Sequence, residues 1–258
     1  MALPVLLLAL QSVAPGPGVK PTPAAMPDYP FAVGERLTFS AKLGIISLGE
    51  GSVEVAGTDT VRGVDAFHFR FTLAGGVPLY SLDDTLESWT GIQDLLSRRF
   101  VQHQLEGGKT RVRHYEIFPD SGVYHELVKH KTGAASSSPI DDAAFLYFVR
   151  ITPLEVGQTY EFDRYFRQEL NPVILKVHKR EQMELPDGTK AQCLVIQPII
   201  GEKGGLFSRQ SDTRVWLTDD ERRLPVQIRM RFPFGVITMR LKEMHLPARP
   251  PKAVQSPA

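Results

Sequence analysis

Three clusters of carboxylates are the residues of this chain that could do acid–base chemistry: Asp83-Asp84-Glu87, Asp141-Asp142 and Asp219-Asp220-Glu221. A hydrolase of this kind needs two carboxylates that face each other across a cleft. Asp141-Asp142 suits the first turn of a helix, and the third cluster suits the tip of a hairpin. Asp83, Asp84 and Glu87 therefore remain as the candidates of a hydrolase hypothesis, which is the weakest of three hypotheses for function.

Histidines offer a second type of chemistry. His103, His114 and His125 are predicted on one face of three neighbouring strands, where imidazoles could bind zinc. They lack a ligand-spacing signature, and only Glu116 stands near them as a supporting carboxylate. The sequence also lacks a Gly-x-Ser-x-Gly elbow, a phosphate-binding glycine loop and a His-Glu-x-x-His motif. We therefore expect no metal, no cofactor and no enzymatic activity.

The elements that would position a site are clearest in the C-terminal third, where apolar and polar residues alternate with the period of a β-strand. A tight turn at Pro233-Phe234 would pair three apolar residues of one strand with three of the next: Met230 with Ile237, Ile228 with Met239, and Val226 with Leu241. A loop at Asp219 to Arg222 would pair Val215 with Val226 and Leu217 with Leu224. In this register all these apolar side chains share one face. A shift of one residue would move them all to the other face.

The opposite face of this predicted meander is cationic. It carries Arg214, Arg223, Arg229, Arg231, Arg240 and Lys242, with Asp212 facing Arg229. We predict that Arg229, Arg231 and Arg240 are available to an anionic surface or partner.

The remaining pattern is mostly that of further strands. Alternation marks residues 37–43 and 67–73, and Gly107-Gly108 marks a hairpin turn between residues 99–106 and 109–118. Gly44, Gly49 and Gly51 predict bends or bulges that let a sheet curl. The predicted fold class is all-β: a strongly curved antiparallel sheet, or incomplete barrel, with one short lid or plug helix at about 139–150.

That helix is predicted from its first turn. Ser138 can cap it, Pro139 suits its first position, and Asp141 and Asp142 favour its positive end. After Asp142 the segment is apolar on every side, so it should be covered on every side. We expect it inside the curled sheet or across its mouth.

Composition limits the classes of function. The 258 residues are 42% apolar, enough for a substantial core, and 30 Lys+Arg against 29 Asp+Glu argue against a nucleic-acid binder. The one cysteine, Cys193, permits no disulfide within the chain, and we expect a buried thiol. We expect a monomer.

The N-terminus predicts export. The apolar run Ala2 to Leu10 suits the core of a signal peptide and is too short to span a bilayer. The predicted organisation is a signal peptide and disordered leader at 1–28, a single β domain at 29–246 and a disordered tail at 247–258. This predicts a periplasmic protein.

Three stretches of the chain carry a resemblance to a known family. They are YPFAVGERLTFSAKLGIISLGEGSVEV, DDAAFLYFVRITPLEVGQTYEF, and VWLTDDERRLPVQI with GVITMRL, and the similarity runs from about Tyr29 to Met244. Together they resemble a family of Gram-negative envelope proteins catalogued as a domain of unknown function, which brings no established catalytic residues. Its members are similar in plan to periplasmic lipoprotein carriers, half-barrels with a lid helix over an apolar cavity. This implies a fold and, by itself, no function.

The leading hypothesis is a non-enzymatic periplasmic protein that binds a lipid or another apolar ligand in a half-barrel groove, with a role in envelope biogenesis. The predicted groove residues are Phe39, Phe67, Phe69, Phe71, Phe145, Phe148, Val226, Ile228, Met230, Ile237, Met239 and Leu241. The alternative is a structural or scaffolding envelope protein with a filled core and an envelope protein as its partner.

Overall fold

The computed structural model describes residues 26–77, 80–201, 207–232 and 235–248. Fourteen strands and one α-helix make up the fold. The strands are β1 (Arg36–Leu43), β2 (Ile46–Val61), β3 (Val64–Val77), β4 (Tyr80–Gly91), β5 (Ser97–Glu106), β6 (Lys109–Phe118), β7 (Val123–Glu126), β8 (Lys131–Ala134), β9 (Thr159–Phe162), β10 (Val173–Glu184), β11 (Lys190–Ile199), β12 (Arg214–Thr218), β13 (Pro225–Phe232) and β14 (Gly235–His245). Helix α1 is Asp142–Ile151, and short 3-10 turns lie at Pro119–Ser121, Gln168–Leu170 and Arg209–Ser211.

All fourteen strands belong to one antiparallel sheet. Its order is β8-β7-β6-β5-β4-β3-β2-β1-β14-β13-β12-β11-β10-β9. The edge strands β8 and β9 do not pair with each other along their length, so the sheet is not closed into a barrel. An isolated bridge between Ala135 and Arg167 brings the segments that follow these two strands together. The predicted all-β, incompletely closed sheet with one helix is confirmed.

Close backbone approach marks a bend between β2 and β3. Gly49 pairs with Gly75, and a Cβ atom built on Gly75 would lie 1.8 Å from the Leu48 carbonyl oxygen. Both glycines have positive φ angles, 147° and 156°. Only glycine can fill such positions, because a side chain would overlap the neighbouring strand.

The main core lies on the inner face of the curled sheet, with helix α1 inside it. The core cluster joins residues from both halves of the sheet to the helix, from Phe39 on β1 and Phe69 on β3 to Leu175 on β10. Residues 143–150 of the helix are all buried, as its apolar sequence predicts. The helix therefore acts as a plug.

The two ends of the sheet differ. Helix α1 contacts residues near the end that carries the turns at 62–63 and 219–224: Asp141 binds Ser97, and Arg150 binds Glu35 and the Arg222 carbonyl. We call this the helix end. We call the opposite end, with the turns at 44–45 and 107–108, the open end.

The predicted start of the helix is wrong by three residues. The helix begins at Asp142, and Asp141, not Ser138, is the N-cap, accepting hydrogen bonds from the backbone N–H groups of Ala143 and Ala144 at 3.0 Å. Ile140 cannot be helical because its backbone pairs with the segment of Tyr165 in a parallel bridge. A tertiary contact therefore overrides the local signal of Pro139.

The predicted register is right between β13 and β14 and wrong between β12 and β13. Ile228 pairs with Met239 and Met230 with Ile237, as predicted. Val215, however, pairs with Ile228 and not with Val226, and Arg214 rather than Asp212 faces Arg229. The register shifts between Trp216 and Leu217, opposite the first residues of β13. A bulge is expected there because Pro225 has no N–H to continue the ladder.

This shift sends Val226 to the other side of the sheet. It packs in a second apolar cluster with Met183, Cys193, Val195 and Trp216, separate from the main core. Cys193 is buried there, as predicted, and burial raises the pKa of its thiol to about 11.

Some sequence predictions fall outside the described residues. These are the signal peptide, most of the leader and tail, and the Pro233-Phe234 turn itself. Within the part of the chain that the structure describes, no helix combines the length and the apolar character needed to cross a bilayer.

Candidate functional site

Burial falls along the inner face of β3 from the helix end to the open end. Phe67 and Phe69 are fully buried, whereas Phe71 and Leu73 are only partly buried. On β4, Leu86 is also partly buried and pairs with Phe71. An inner face that is still accessible to solvent is therefore present beyond the region that the helix fills.

Residues from the other side of the sheet reach the same region. Ile237 on β14 is partly buried against the core. Leu73 and Met239 meet over Gly51: a Cβ atom at Gly51 would lie 3.3 Å from Leu73 Cδ1 and 2.8 Å from Met239 Cε. Strands β3 and β14 thus contribute to one apolar surface, although they are separated by β2 and β1.

One buried carboxylate lies within this apolar surface. Asp84 pairs with Leu73 across β3 and β4, so it shares the inner face with Leu86. Its Oδ2 accepts a hydrogen bond of 3.2 Å from Gln104 Nε2. Its Oδ1 is buried and has no hydrogen-bond partner within the described residues. A buried carboxylate oxygen without a partner costs free energy that a donor on a ligand would recover.

Burial raises the pKa of the Asp84 carboxyl from 3.8 to about 6. The hydrogen bond from Gln104 and the Leu105 backbone N–H oppose the rise, and Glu106 adds to it. Two further buried atoms, Arg113 Nε and Glu126 Oε1 on strands β6 and β7, make no hydrogen bond within the described residues, although Glu126 Oε1 lies 3.9 Å from Lys129 Nζ. Arg113 shares the inner face because it pairs with Gln102, which itself pairs with Leu86. The inner face of the open end is therefore amphipathic.

Replacing Asp84 by asparagine is expected to raise the Tm, and to raise it more at high pH. The pKa of Asp84 is higher in the folded protein than the usual unfolded value, so ionisation destabilises the fold between about pH 4 and pH 6, and the full cost persists above that range. Asparagine removes this cost. We expect a gain in Tm of a few degrees at pH 8, since about 1 kcal/mol shifts Tm by about 2–4 °C in a protein of this size, and little gain at pH 4.

Thermal unfolding between pH 4 and pH 8 measures this effect. Asp83→Asn is the matched control, since the neighbouring side chain is exposed and the charge change is the same. A gain that does not depend on pH would contradict the assignment.

A second concave region is polar and lies at the helix end. It has a volume of about 480 Å³ and is lined by Asp28, Tyr29, Pro30, Arg150, Ile151, Thr152, Pro153, Asp219, Asp220, Glu221 and Arg223. Its central charges already have partners within the protein. Asp220 accepts hydrogen bonds from Thr218 and from the Arg222 and Arg223 backbone, and Asp219 pairs with Arg180 at 2.7 Å. Arg223 Nη1 is buried and makes no hydrogen bond within the described residues, but it lies 3.9 Å from Asp219 Oδ1, so the charges of this region are paired with each other.

Most of the predicted groove residues are core and do not line a groove. The fully or almost fully buried ones are Phe39, Phe67, Phe69, Phe145, Phe148, Ile228, Met230, Met239 and Leu241. Val226 lies in the second cluster. Phe71 and Ile237 are the two that remain partly exposed on the inner face. The helix and the aromatic side chains fill the helix end, which is why the predicted set is too large.

The predicted cationic face is smaller than expected. Arg229 and Arg231 are exposed. Arg240 is held by the Glu184 carbonyl at 2.7 Å and by Gln227 Oε1 at 3.3 Å, over the second cluster, so it is committed to structure.

The hydrolase candidates do not converge. Asp83 is exposed, and Glu87 binds His68 at 3.0 Å and Arg70 at 3.1 Å on the outer face, whereas Asp84 is on the inner face. Strand alternation separates neighbouring residues in this way.

The three histidines are exposed or half-buried. His114 binds Glu116 at 3.1 Å, and His125 binds Thr132 at 2.8 Å. No group of three potential ligands is close enough to hold a metal ion among the residues that the structure describes.

Leu73, Leu86 and Asp84 were not recognised together from the sequence. The spacing of Asp84 and Leu86 on β4 predicts that they share a face, because they are two residues apart. Whether that face is the inner or the outer face of the sheet depends on how β4 pairs with β3, and the sequence pattern does not predict this pairing.

Comparisons with known proteins agree with the fold. Residues 38–242 match the family model described as "Protein of unknown function (DUF3108)". No curated protein matches the chain. One similar solved structure is the crystal structure of a β-barrel-like protein of domain of unknown function DUF1849 from Brucella abortus, with a TM-score of 0.56 and 10% identity, covering 84% of this chain and 99% of that one. At this identity the likeness shows the fold alone.

Proposed function

The chain belongs to the family described as Protein of unknown function (DUF3108), and we propose that it is a non-enzymatic periplasmic protein that binds a lipid or another amphipathic ligand on the inner face of its open end. The observation that carries this proposal is the accessible inner face at Phe71, Leu73 and Leu86, beside the buried carboxylate of Asp84. A monomer is sufficient for this site.

The apolar and polar parts of the ligand would contact different residues of this surface. An acyl chain would lie against Phe71, Leu73, Leu86 and Ile237, which are partly buried and so have apolar area left to cover. Burial of about ten methylene groups would contribute about 8 kcal/mol, which corresponds to a Kd of about 1 μM before the cost of ordering the chain.

The polar group of the ligand would meet Asp84. Its Oδ1 makes no hydrogen bond within the described residues and can accept one, so a hydroxyl or amine donor would fit this position. When Asp84 is ionised, an amine would also gain from the charge. The site therefore favours amphipathic molecules over pure hydrocarbons.

Binding is testable by native mass spectrometry of gently purified protein and by titration with oleic acid and with a phosphatidylethanolamine. We expect bound lipid, and a higher Tm after lipid is added. The double variant Leu73→Gln/Leu86→Gln should lose at least about tenfold in affinity, because two polar amides replace the apolar surface. Val64→Gln is the matched control on the same strand, since Val64 is exposed at the helix end. Protein that carries no lipid and gains no stability from either probe would end the proposal.

A structural envelope protein is the second candidate, and the filled helix end favours it. There the predicted groove residues Phe39, Phe67, Phe69 and Phe145 have no exposed surface. This candidate predicts that the lipid titration fails and that the protein instead co-purifies with an envelope protein.

The periplasmic address rests on the apolar run Ala2 to Leu10. Fractionation of cells that express the full chain with a C-terminal tag would test it. We expect the tag in the periplasmic fraction with a shortened N-terminus, and a full-length chain in the cytoplasmic fraction would contradict this expectation.

A further inference from the structure

Two adjacent isoleucines are exposed at the tip of the β1–β2 hairpin. Ile45 is 98% exposed and Ile46 is 53% exposed, the highest values among the large hydrophobic residues that the structure describes. Gly44, with a φ of 59°, makes the turn tight, and Leu43 pairs with Ile46 directly behind the tip. Single exposed apolar residues are common, but two at one protruding tip call for a reason.

Cations lie next to this tip on the outer face. Lys42 pairs with Thr238, and Thr238 pairs with Arg229, so these side chains form a row across β1, β14 and β13. Arg231 is two pairs nearer the open end, opposite Val236, and so is the next outward-facing residue of β13. Lys42, Arg229 and Arg231 are all exposed, and none of them has an ion pair or side-chain hydrogen bond within the described ranges.

Carboxylates do not neutralise this row. Glu50 is bound to Lys242, and Asp212 is bound to Arg214 and Gln197. The three cations therefore leave a positive outer face beside the isoleucines.

A second turn repeats this composition. The β7–β8 turn follows a strand that runs toward the open end, and it contains the exposed residues Leu127 and Val128. Lys129 follows them and Lys131 begins β8. This turn points the same way as the β1–β2 tip but lies beside the middle of β6, because the Leu127 N–H donates to the His114 carbonyl, and its Lys129 pairs with Glu126 at 3.9 Å. The β1–β2 tip is therefore the feature that lies at the edge of the open end.

The tip also lies at the mouth of the proposed ligand site. Leu43, next to the turn, pairs with Ile237 of the inner apolar surface. A surface that touches the tip would thus face the opening of that site.

We propose that Ile45 and Ile46 insert into the surface of an anionic lipid bilayer while Lys42, Arg229 and Arg231 bind its headgroups, which docks the open end on the membrane. Apolar side chains that enter the interface next to cations are the combination by which peripheral proteins bind anionic membranes. This inference rests on the proposed function in one respect: docking gives the ligand site direct access to lipid.

Vesicle flotation with the purified full chain tests the proposal. We expect the protein to float with phosphatidylethanolamine–phosphatidylglycerol vesicles. Its partitioning onto phosphatidylcholine vesicles should be at least about tenfold weaker, because each cation near an anionic surface adds to binding. The variant Ile45→Ser/Ile46→Ser should lose at least about tenfold in partitioning, and Lys42→Gln/Arg229→Gln/Arg231→Gln should lose about as much on anionic vesicles and nothing on phosphatidylcholine.

The matched control is Val33→Ser/Val64→Ser, which removes two exposed apolar residues at the helix end and should leave partitioning unchanged. The tip variant should keep the native Tm, because its side chains are in solvent. The proposal would be overturned if the wild-type chain did not float with anionic vesicles, or if the tip variant floated as well as the wild-type chain.

Failure of docking and failure of ligand binding are separable. Leu73→Gln/Leu86→Gln should still float with anionic vesicles, because its changes lie inside the sheet. A wild-type chain that floats but carries no lipid would leave the docking in place and refute the ligand site, whereas a chain that binds oleic acid but does not float would do the reverse.

Discussion

Arg150→Met is expected to lower the free energy of unfolding by about 3–5 kcal/mol, because it leaves the Glu35 carboxylate buried without its partner. Both side chains are almost completely buried, 1% and 4% exposed. The guanidinium binds both carboxylate oxygens of Glu35 and the carbonyls of Pro30 and Arg222. It therefore fastens the end of helix α1 to the segment before β1 and to the β12–β13 turn.

Urea unfolding of the variant and of two controls measures this effect. Glu35→Gln/Arg150→Met should be more stable than Arg150→Met alone, because no buried charge is left unpaired. Arg180→Met breaks the pair with Asp219, in which Arg180 is 55% exposed, and should cost about 1 kcal/mol at most. If Arg150→Met were as stable as Arg180→Met, the contacts of Arg150 would not stabilise the packing of helix α1 in the sheet.

Phe69→Ala is expected to cost about 3–5 kcal/mol, the usual loss for a fully buried aromatic side chain. Phe69 has no exposed surface and stacks on Tyr147 of the helix, with ring centroids 3.9 Å apart. It also packs on Phe67 at 5.4 Å. The gap would lie between the plug helix and β3.

Phe71→Ala is the matched substitution, two residues further along the same face of β3. Since Phe71 is only partly buried, we expect a loss of about 1–2 kcal/mol. Lipid affinity should respond in the opposite order: Phe71→Ala weakens oleic acid binding, and Phe69→Ala leaves it nearly unchanged as long as the protein is folded. Equal losses of stability would mean that the inner face is filled along its whole length, as the scaffold candidate requires.

The sequence was a reliable guide to which segments form strands. The alternation in residues 37–43 and 67–73 predicts strands β1 and β3, and Gly107-Gly108 marks the turn between β5 and β6. The apolar segment after Asp142 predicts a helix that is covered on every side, and residues 143–150 are buried.

The same reasoning failed where a long-range contact competed with a local signal. Ile140 pairs with the Tyr165 segment, which delays the helix to Asp142. A bulge opposite Pro225 shifts β12 against β13 and places Val226 among Cys193 and Trp216. Alternation cannot reveal a bulge, because it records which residues share a face and not where a ladder gains a residue.

The candidate site shows the same division between sequence and structure. The residue pattern by itself determined that this chain forms a one-sided, curled antiparallel sheet around a buried helix, because period-two alternation and a segment apolar on all sides leave few other ways to hide their surfaces. Tertiary structure alone decided how far the helix fills the interior. The tertiary structure buries Phe69 completely, leaves Phe71 partly accessible and places Asp84 on the inner face. The burial of a residue and the face on which it lies depend on which strands become neighbours, and the sequence of one strand does not determine this.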